Sequence, residues 1–149
     1  MGVQQIAAAT DRALLAGRLR LAVTRLNRRL RAQADSGLSP SAQSALATIA
    51  HHGSLSLGEL AGHEGVRPPS ITTTVGGLES LGLVVRGQDA ADRRVSRVAV
   101  TARGRLRLQR DRRRKTAYLA SRLATLGEDE LATLERAAGI LEQLLEDGR

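Results

Sequence analysis

The sequence has no cysteine, tryptophan or phenylalanine, and it has a single tyrosine, Tyr118. The absence of cysteine excludes disulfides, thiolate metal sites and thiol-based redox sensing. With so few aromatic rings, the core has to be built from Leu, Val, Ile and Ala. No window approaches the ~18 apolar residues of a membrane span, and the N-terminal residues lack the basic region and long apolar run of a signal peptide. We therefore expect a cytoplasmic protein with no membrane partner.

Acidic residues are also scarce relative to basic ones. The chain of 149 residues carries 23 Lys and Arg against 15 Asp and Glu, a formal charge of +8. Such a balance favours a polyanionic partner, most simply nucleic acid. The alternative interpretation is a solvated, arginine-rich surface without a partner. The stretch from Arg103 to Lys115 holds eight cations and one acid.

Groupings that would carry catalysis or hold a metal are absent from the sequence. There is no Gly-rich phosphate loop, nucleophile–base pair or carboxylate dyad. His51 and His52 are adjacent, so on a helix they point about 100° apart and cannot chelate one ion. We therefore expect neither an enzyme nor a bound cofactor or metal.

Helical periodicity and capping signals predict four helices in the first half of the chain. The first spans residues 10–34, and Ser39-Pro40 opens the second with a capping serine and a first-turn proline. Ser56 and Glu59 fit the capping box of a short third helix. The fourth begins at the prolines after Arg67 and ends at Gly82. The third and fourth helices, joined by a tight turn at Gly65, are typical of a helix-turn-helix.

Two short strands and two helices follow in the second half. LVVRGQ, at residues 83–88, and VSRVAV, at residues 95–100, predict a hairpin around the polar turn DAADRR. Thr101 is expected to cap a long helix that reaches Leu126, and a last helix spans residues 128–146. Its leucines repeat at alternating steps of three and four, which suits packing on another helix. The predicted fold class is mainly α with a small β-hairpin: a winged helix-turn-helix with N- and C-terminal dimerisation helices.

The fourth helix has two contrasting faces. Ile71, Val75 and Leu78 lie within about 60° of one another and are predicted to face the core. Each glycine inside a helix costs about 0.5–1 kcal/mol relative to alanine. A helix with two of them on its outer face suits close approach of its backbone to a DNA major groove, which Ser and Thr can contact. The alternative is a surface helix with weak propensity and no partner. The outer face carries Pro69, Thr73, Gly76, Gly77 and Ser80, flanked by Ser70 and Thr72.

The tip of the predicted hairpin carries Asp92, Arg93 and Arg94. A guanidinium fits the narrow, negative minor groove of A·T-rich DNA, and Asp92 can hold an arginine in place. The alternative is a polar turn with a surface ion pair worth ~0–1 kcal/mol.

The segment from Gly65 to Gly104 resembles the MarR family of bacterial transcription regulators. The matching features are the Pro69-Ser70 opening of the recognition helix, its Leu78-Glu79-x-x-Gly82 exit, and the D-R-R-x-x-x-V-x-[LV]-T wing that ends at Thr101. The resemblance is strong over about 40 residues, and the flanking helices match by length and order. The sequence departs from the family at Arg67, where serine is usual, and at Thr73, Gly76 and Gly77, where many members carry basic residues. Direct reading of guanine by arginine on this helix is therefore not expected.

The resemblance implies a homodimer whose two winged lobes read a pseudo-palindromic site on double-stranded DNA. One MarR-like domain would cover residues 1–149, with the DNA-binding lobe at 38–101 and dimerisation helices at 10–35 and 102–147. Arg94 would enter the minor groove, held by Asp92 and accompanied by Arg93, while Arg67, Pro69, Ser70, Thr72 and Thr73 would serve the major groove. The predicted dimer interface comprises Leu15, Leu19, Leu131, Leu134, Ala138, Leu141 and Leu145.

Many relatives in this family bind small aromatic effectors between the dimer helices and the lobe. A corresponding pocket here would be aliphatic, lined by residues such as Leu15, Leu19 and Ile49. Tyr118 would be its polar group, although a packed core tyrosine is the alternative.

The sequence thus predicts a DNA-binding transcription regulator that acts as a homodimer and is released by a small effector, if one exists. Repression is favoured over activation on family grounds alone. One alternative is an architectural or sequence-tolerant DNA-binding protein, favoured by the small recognition face and the arginine run. Another is a protein- or ligand-binding module that has lost DNA binding. The first half of the run from Arg103 is a candidate for phosphate contacts, and a solvated helix face is its alternative.

Overall fold

The computed structural model describes residues 2–34, 37–89 and 94–146, with side chains described from residue 11 onward. Within these residues the chain forms six helices and three strands. In chain order they are α1 (Gly2–Ala34), α2 (Pro40–His52), β1 (Ser54–Ser56), α3 (Leu57–Glu64), α4 (Pro68–Ser80), β2 (Val84–Gln88), β3 (Ser96–Val100), α5 (Ala102–Leu123) and α6 (Glu128–Glu146).

Capping residues set the starts of several helices, as the sequence predicts. The Ser39 hydroxyl accepts a hydrogen bond from the Ala42 N–H, with Pro40 in the first turn of α2. Ser56 and Glu59 form the predicted capping box of α3, because each side chain accepts a bond from the other's backbone N–H. The Gly104 N–H donates to the Thr101 hydroxyl at the start of α5. These side chains satisfy N–H groups that have no partner within the helix.

Two predicted helix boundaries were wrong. The first helix begins at Gly2 rather than Thr10, because Ala and Gln are good helix formers even without an apolar period. α5 ends at Leu123 rather than Leu126, where backbone bonds from Thr125 to Arg122 and from Leu126 to Leu123 tighten the chain into turns.

The sheet is antiparallel with the order β1-β3-β2. The pairing of β2 with β3 is the predicted hairpin, with Val85 opposite Ala99. The short strand β1, directly before α3, is the third strand, and its Leu55 pairs with Val98. Because side chains alternate along a strand, Leu55, Val98 and Val100 face the core while Arg97 and Ala99 lie on the other face.

The chain divides into two compact units. One comprises Ala34–Arg113, and the other comprises Met1–Gln33 with Arg114–Arg149. The first, which we call the winged lobe, contains α2, α3, α4, the sheet and the first half of α5. Its core is aliphatic and includes Leu46, Ile49, Leu60, Ile71, Val75, Leu78, Val84 and Val98. The winged helix-turn-helix fold class predicted from the sequence is confirmed.

The second unit, formed by α1, the rest of α5 and α6, has a different surface. None of the described residues of α6 is buried. The exposed apolar side chains on α1 and α6 include Leu14, Leu15, Leu19, Leu26, Leu131, Leu134, Ile140, Leu141, Leu144 and Leu145. Among the described helices, none is long and apolar enough to cross a bilayer.

Candidate nucleic-acid interface

The fourth helix is anchored by one face and exposed on the other. Ile71, Val75 and Leu78 are buried in the lobe core, as the sequence predicts. Arg67 occupies the N-cap and makes no side-chain capping bond within the described chain, and prolines fill the first turn. The residues predicted to face DNA on this helix are all exposed: Arg67, Pro69, Ser70, Thr72 and Thr73.

Four of the five hydroxyl groups of α4 bond to the helix itself. The side chains of Thr72, Thr73 and Thr74 donate to the backbone carbonyls four residues earlier, at 3.0, 3.2 and 3.0 Å. Ser80 does the same to the Gly76 carbonyl at 2.9 Å. The helix therefore presents hydroxyls whose protons are already used within it.

The two glycines of α4 leave space on its outer surface. A Cβ added at Gly76 or Gly77 would meet no atom of the described chain within 4 Å beyond its own helix backbone and immediate neighbours. Packing within the protein therefore does not require glycine at either position. By contrast, a Cβ at Gly104 would lie 2.2 Å from the Leu83 carbonyl oxygen, so α5 can start against the sheet only with glycine there.

Two contacts join the end of α4 to the wing. Gly82 ends the helix in the left-handed conformation (φ +68°), and the Thr101 hydroxyl donates to its carbonyl at 2.7 Å. Arg86 on β2 forms an ion pair with Glu79 on α4, with Nε 3.1 Å from Oε2, although the Nε–H is not directed along that line as in a hydrogen bond. These contacts hold the helix and the hairpin in one geometry.

The hairpin of β2 and β3 forms the wing. A backbone bond from the Asp89 N–H to the Val95 carbonyl, 2.9 Å long, extends the pairing by one step toward the turn of the hairpin. Arg94 is exposed, two residues before β3 begins. Asp92 and Arg93, also predicted to contact DNA, lie outside the described residues.

Arg97 was not predicted from the sequence to take part in this surface. Its guanidinium donates a hydrogen bond to the Asp89 carboxylate through Nε. Nη1 of the same group donates to the Ser54 carbonyl at 2.9 Å and to Glu59 Oε2 at 3.4 Å. The hydrogen bond to Asp89 raises the pKa of Arg97. One side chain thus joins the end of β2, β1 and the start of α3. Strand alternation places Arg97 on the outer face, but its partners are distant in sequence.

The basic run from Arg103 begins directly after the wing. The Arg105 side chain donates to the Val100 carbonyl at 2.8 Å, and Arg107 lies 3.6 Å from the buried Asp111. Contact of the remaining arginines with phosphate stays a prediction.

The other predicted residues lie in different surroundings. Ile49 is fully buried in the lobe core, while Leu19 is exposed on α1. The pKa of Tyr118 is lowered, chiefly by a hydrogen bond with Arg29. The Arg122 guanidinium lies 5.3 Å from the centre of the Tyr118 ring. The proposed effector pocket remains a prediction.

The three histidines form a row at the lobe surface. The ring centres of His51 and His52 are 4.8 Å apart, and those of His52 and His63 are stacked at 4.2 Å. In the part of the chain that the structure describes, no group of three or more His, Asp or Glu side chains could hold a metal ion.

Comparison with known proteins assigns the chain to a family. The family model for the MarR family matches residues 38–96. The chain is 40% identical over 136 residues to an HTH-type transcriptional regulator of Mycobacterium tuberculosis, covering 91% of this chain and 95% of that one. The chain belongs to the MarR family. It is therefore a transcriptional regulator with a DNA-binding fold and not an enzyme.

Two further comparisons add detail. The HTH-type transcriptional repressor MdtR of Bacillus subtilis is 29% identical over 110 residues, covering 74% of this chain and 71% of MdtR. A solved structure of a transcriptional regulator protein from Pseudomonas aeruginosa superposes with a TM-score of 0.80 at 32% identity, covering 90% of this chain and 96% of that one.

Proposed function

We propose that this protein is a homodimeric repressor that binds a pseudo-palindromic operator. In this proposal α4 of each protomer enters the major groove, and Arg94 of each wing enters the adjacent minor groove. The observation that carries it is the outer face of α4, where Gly76 and Gly77 leave room that nothing in the described protein fills. Two glycines that cost stability without serving internal packing fit a surface that a duplex approaches closely.

Exposed leucines support the dimer. Leu141 is 37% exposed and Leu145 is 77% exposed in the isolated chain. Members of this family act as dimers, and a contiguous apolar surface of this kind marks a protein interface. The interface proposed from the sequence uses Leu15, Leu19, Leu131, Leu134, Ala138, Leu141 and Leu145.

Repression is supported by the relative MdtR, which is a repressor by name. A small effector would act by favouring a dimer geometry that fits the operator less well.

A second candidate is a sequence-tolerant DNA-binding protein. The observation that favours it is the arginine run on α5, of which Arg103, Arg110, Arg112 and Arg113 are exposed. Phosphate contacts alone give affinity without sequence preference.

Selection of bound sites from random duplex DNA distinguishes the two. The repressor proposal predicts enrichment of an inverted repeat with half-sites about one helical turn apart. It also predicts that the enriched site binds at least ~10³-fold more tightly than random DNA at the same salt concentration. Salt-dependent binding without enrichment would support the second candidate, and absence of DNA binding would contradict both.

A further inference from the structure

Thr73 stands at the centre of the outer face of α4. It lies about 190° around the helix from the middle of the buried stripe formed by Ile71, Val75 and Leu78. Residues three and four further along are its neighbours on the helix surface, and here they are Gly76 and Gly77. The α4 residues three and four positions on therefore place no side chain over Thr73.

The hydroxyl of Thr73 is turned back toward the helix. It donates to the Pro69 carbonyl at 3.2 Å, so its proton is not available to a base. Substituents on Cβ take staggered positions, and the Cγ2 methyl group is the one left at the outside of the helix. Thr72 has the same arrangement on the flank of this face, with its hydroxyl bonded to the Pro68 carbonyl.

The rest of α4 offers little hydrogen-bonding capacity for reading bases. The helix from Pro68 to Ser80 contains no Arg, Lys, Asn or Gln, the residues that read guanine and adenine through paired hydrogen bonds. Its one charged residue, Glu79, is occupied by Arg86. Beside the hydroxyl of Ser70 and the acceptor oxygens of the threonines, apolar contact is the means of direct readout that this face offers.

We propose that Thr73 determines specificity by packing its methyl group against the C5-methyl group of a thymine in each half-site. Thymine is the one base that presents a methyl group in the major groove, and a threonine methyl is a suitable partner for it. This inference rests on the proposed operator-binding function and names the base that the same helix recognises.

The first experiment removes methyl groups from the DNA. In the operator obtained by selection, each thymine is replaced singly by deoxyuridine, and the dissociation constant of the full-length protein is measured at fixed salt. We expect one symmetric position per half-site at which replacement weakens binding about fourfold, the amount that burial of one methyl group contributes to an equilibrium.

The second experiment changes the protein. Thr73→Val keeps the methyl group and loses the hydroxyl, while Thr73→Ser keeps the hydroxyl and loses the methyl group. We expect the valine variant to bind within about twofold of the wild type and the serine variant to lose about fourfold per half-site. Deoxyuridine at the sensitive position should cause no further loss for the serine variant, because the two changes remove one contact.

Thr133→Ser is the matched control. Thr133 is an exposed threonine of α6 whose hydroxyl bonds to the Asp129 carbonyl at 2.8 Å, four residues earlier. Its replacement should leave DNA affinity unchanged, and thermal unfolding of all variants checks that they are folded.

The proposal is overturned if the valine variant loses as much affinity as the serine variant, since the hydroxyl would then be the reader. It is also overturned if deoxyuridine has no effect at any position, or if its effect persists in full in the serine variant. Failure of the operator-binding function itself would be recognised separately, as the absence of any enriched sequence in the selection.

Discussion

The winged lobe and the second unit, which contains α1, the rest of α5 and α6, differ in how far they bury their apolar side chains. In the lobe, Leu46, Ile49 and Leu60 have no exposed surface, because three helices and a sheet enclose them. In the other unit, the leucines of α6 follow a regular heptad spacing and yet remain exposed. The lobe therefore has its own core, whereas the helices have an apolar face that the single chain leaves uncovered.

In the proposed dimer, this difference places stability and association in separate parts of the chain. A cluster of enclosed aliphatic side chains stabilises a fold at any protein concentration. An uncovered apolar seam is stable only when a partner covers it, so its stability depends on concentration. Function on DNA would then depend on the outer surface of the lobe, with the helices setting the distance between two lobes.

The largest expected effect on stability is at the row of interface residues on α6, Leu131, Leu134, Ala138, Leu141 and Leu145, which we call the seam. Leu141→Glu would bury an unpaired charge in the proposed interface, at a cost of about 3–5 kcal/mol. We expect dissociation and loss of helix content at micromolar concentration, measured by sedimentation and circular dichroism.

Arg136→Glu is the matched control, because Arg136 lies on the opposite side of α6 from the seam. The Arg136 variant should remain dimeric. A stable, fully helical monomer of the Leu141 variant would contradict the proposed dimer interface.

A comparable loss of stability is expected in the lobe, but with a different signature. Leu46→Ala leaves a cavity in a closed core and should cost about 2–5 kcal/mol. The lost stability should not depend on protein concentration in denaturant titrations. Leu106→Ala, at a position 56% exposed on α5, should cost less than about 0.5 kcal/mol. Equal losses for the two variants would mean that the lobe lacks an independent core.

The wing variant Arg94→Ala should weaken operator binding by about 1–3 kcal/mol and reduce the salt dependence, with dimer and fold intact. Arg12→Ala removes the same charge from an exposed residue of α1 that does not belong to the winged lobe, and it should have little effect. Unchanged affinity of the Arg94 variant at moderate salt would remove the wing from the mechanism.

Leaving the control variants aside, the smallest expected change in free energy is at Gly77. Gly77→Ala should raise the free energy of unfolding by about 0.5–1 kcal/mol, because the new Cβ meets nothing within 4 Å in the described chain beyond its own helix. The same Cβ should weaken operator binding if the duplex approaches that face.

Gly139→Ala on α6 should stabilise the protein by a similar amount without affecting DNA affinity. A Gly77 variant that is more stable and binds DNA unchanged would argue against close approach of the α4 backbone.

The local elements of the lobe could be predicted because their signals are close together in sequence. Ser39 and Ser56 mark helix starts through bonds that span three residues, and Gly82 ends α4 by its positive φ. The alternation of Val98 and Val100 identifies a strand with one buried face. Each of these signals depends on backbone geometry within one turn.

Contacts between distant residues could not be predicted in the same way. The pairing of β1 with β3 joins Leu55 to Val98, and the bonds of Arg97 reach back to Ser54 and Glu59. The start of α1 was missed because its first residues have helix propensity but no apolar period. The sequence identified which residues of α4 face outward, but not that the hydroxyls of Thr72 and Thr73 are bonded to the helix.

The most direct test of the account is to change the spacing between the two half-sites of the selected operator. Inserting five base pairs turns one half-site to about the opposite side of the duplex, since the helix repeats every 10–10.5 base pairs. If two lobes joined by the dimer helices read one face of DNA together, affinity should fall to that of a single half-site, and insertion of ten base pairs should restore part of it at most. Affinity that is unchanged by the five-base-pair insertion would contradict the account.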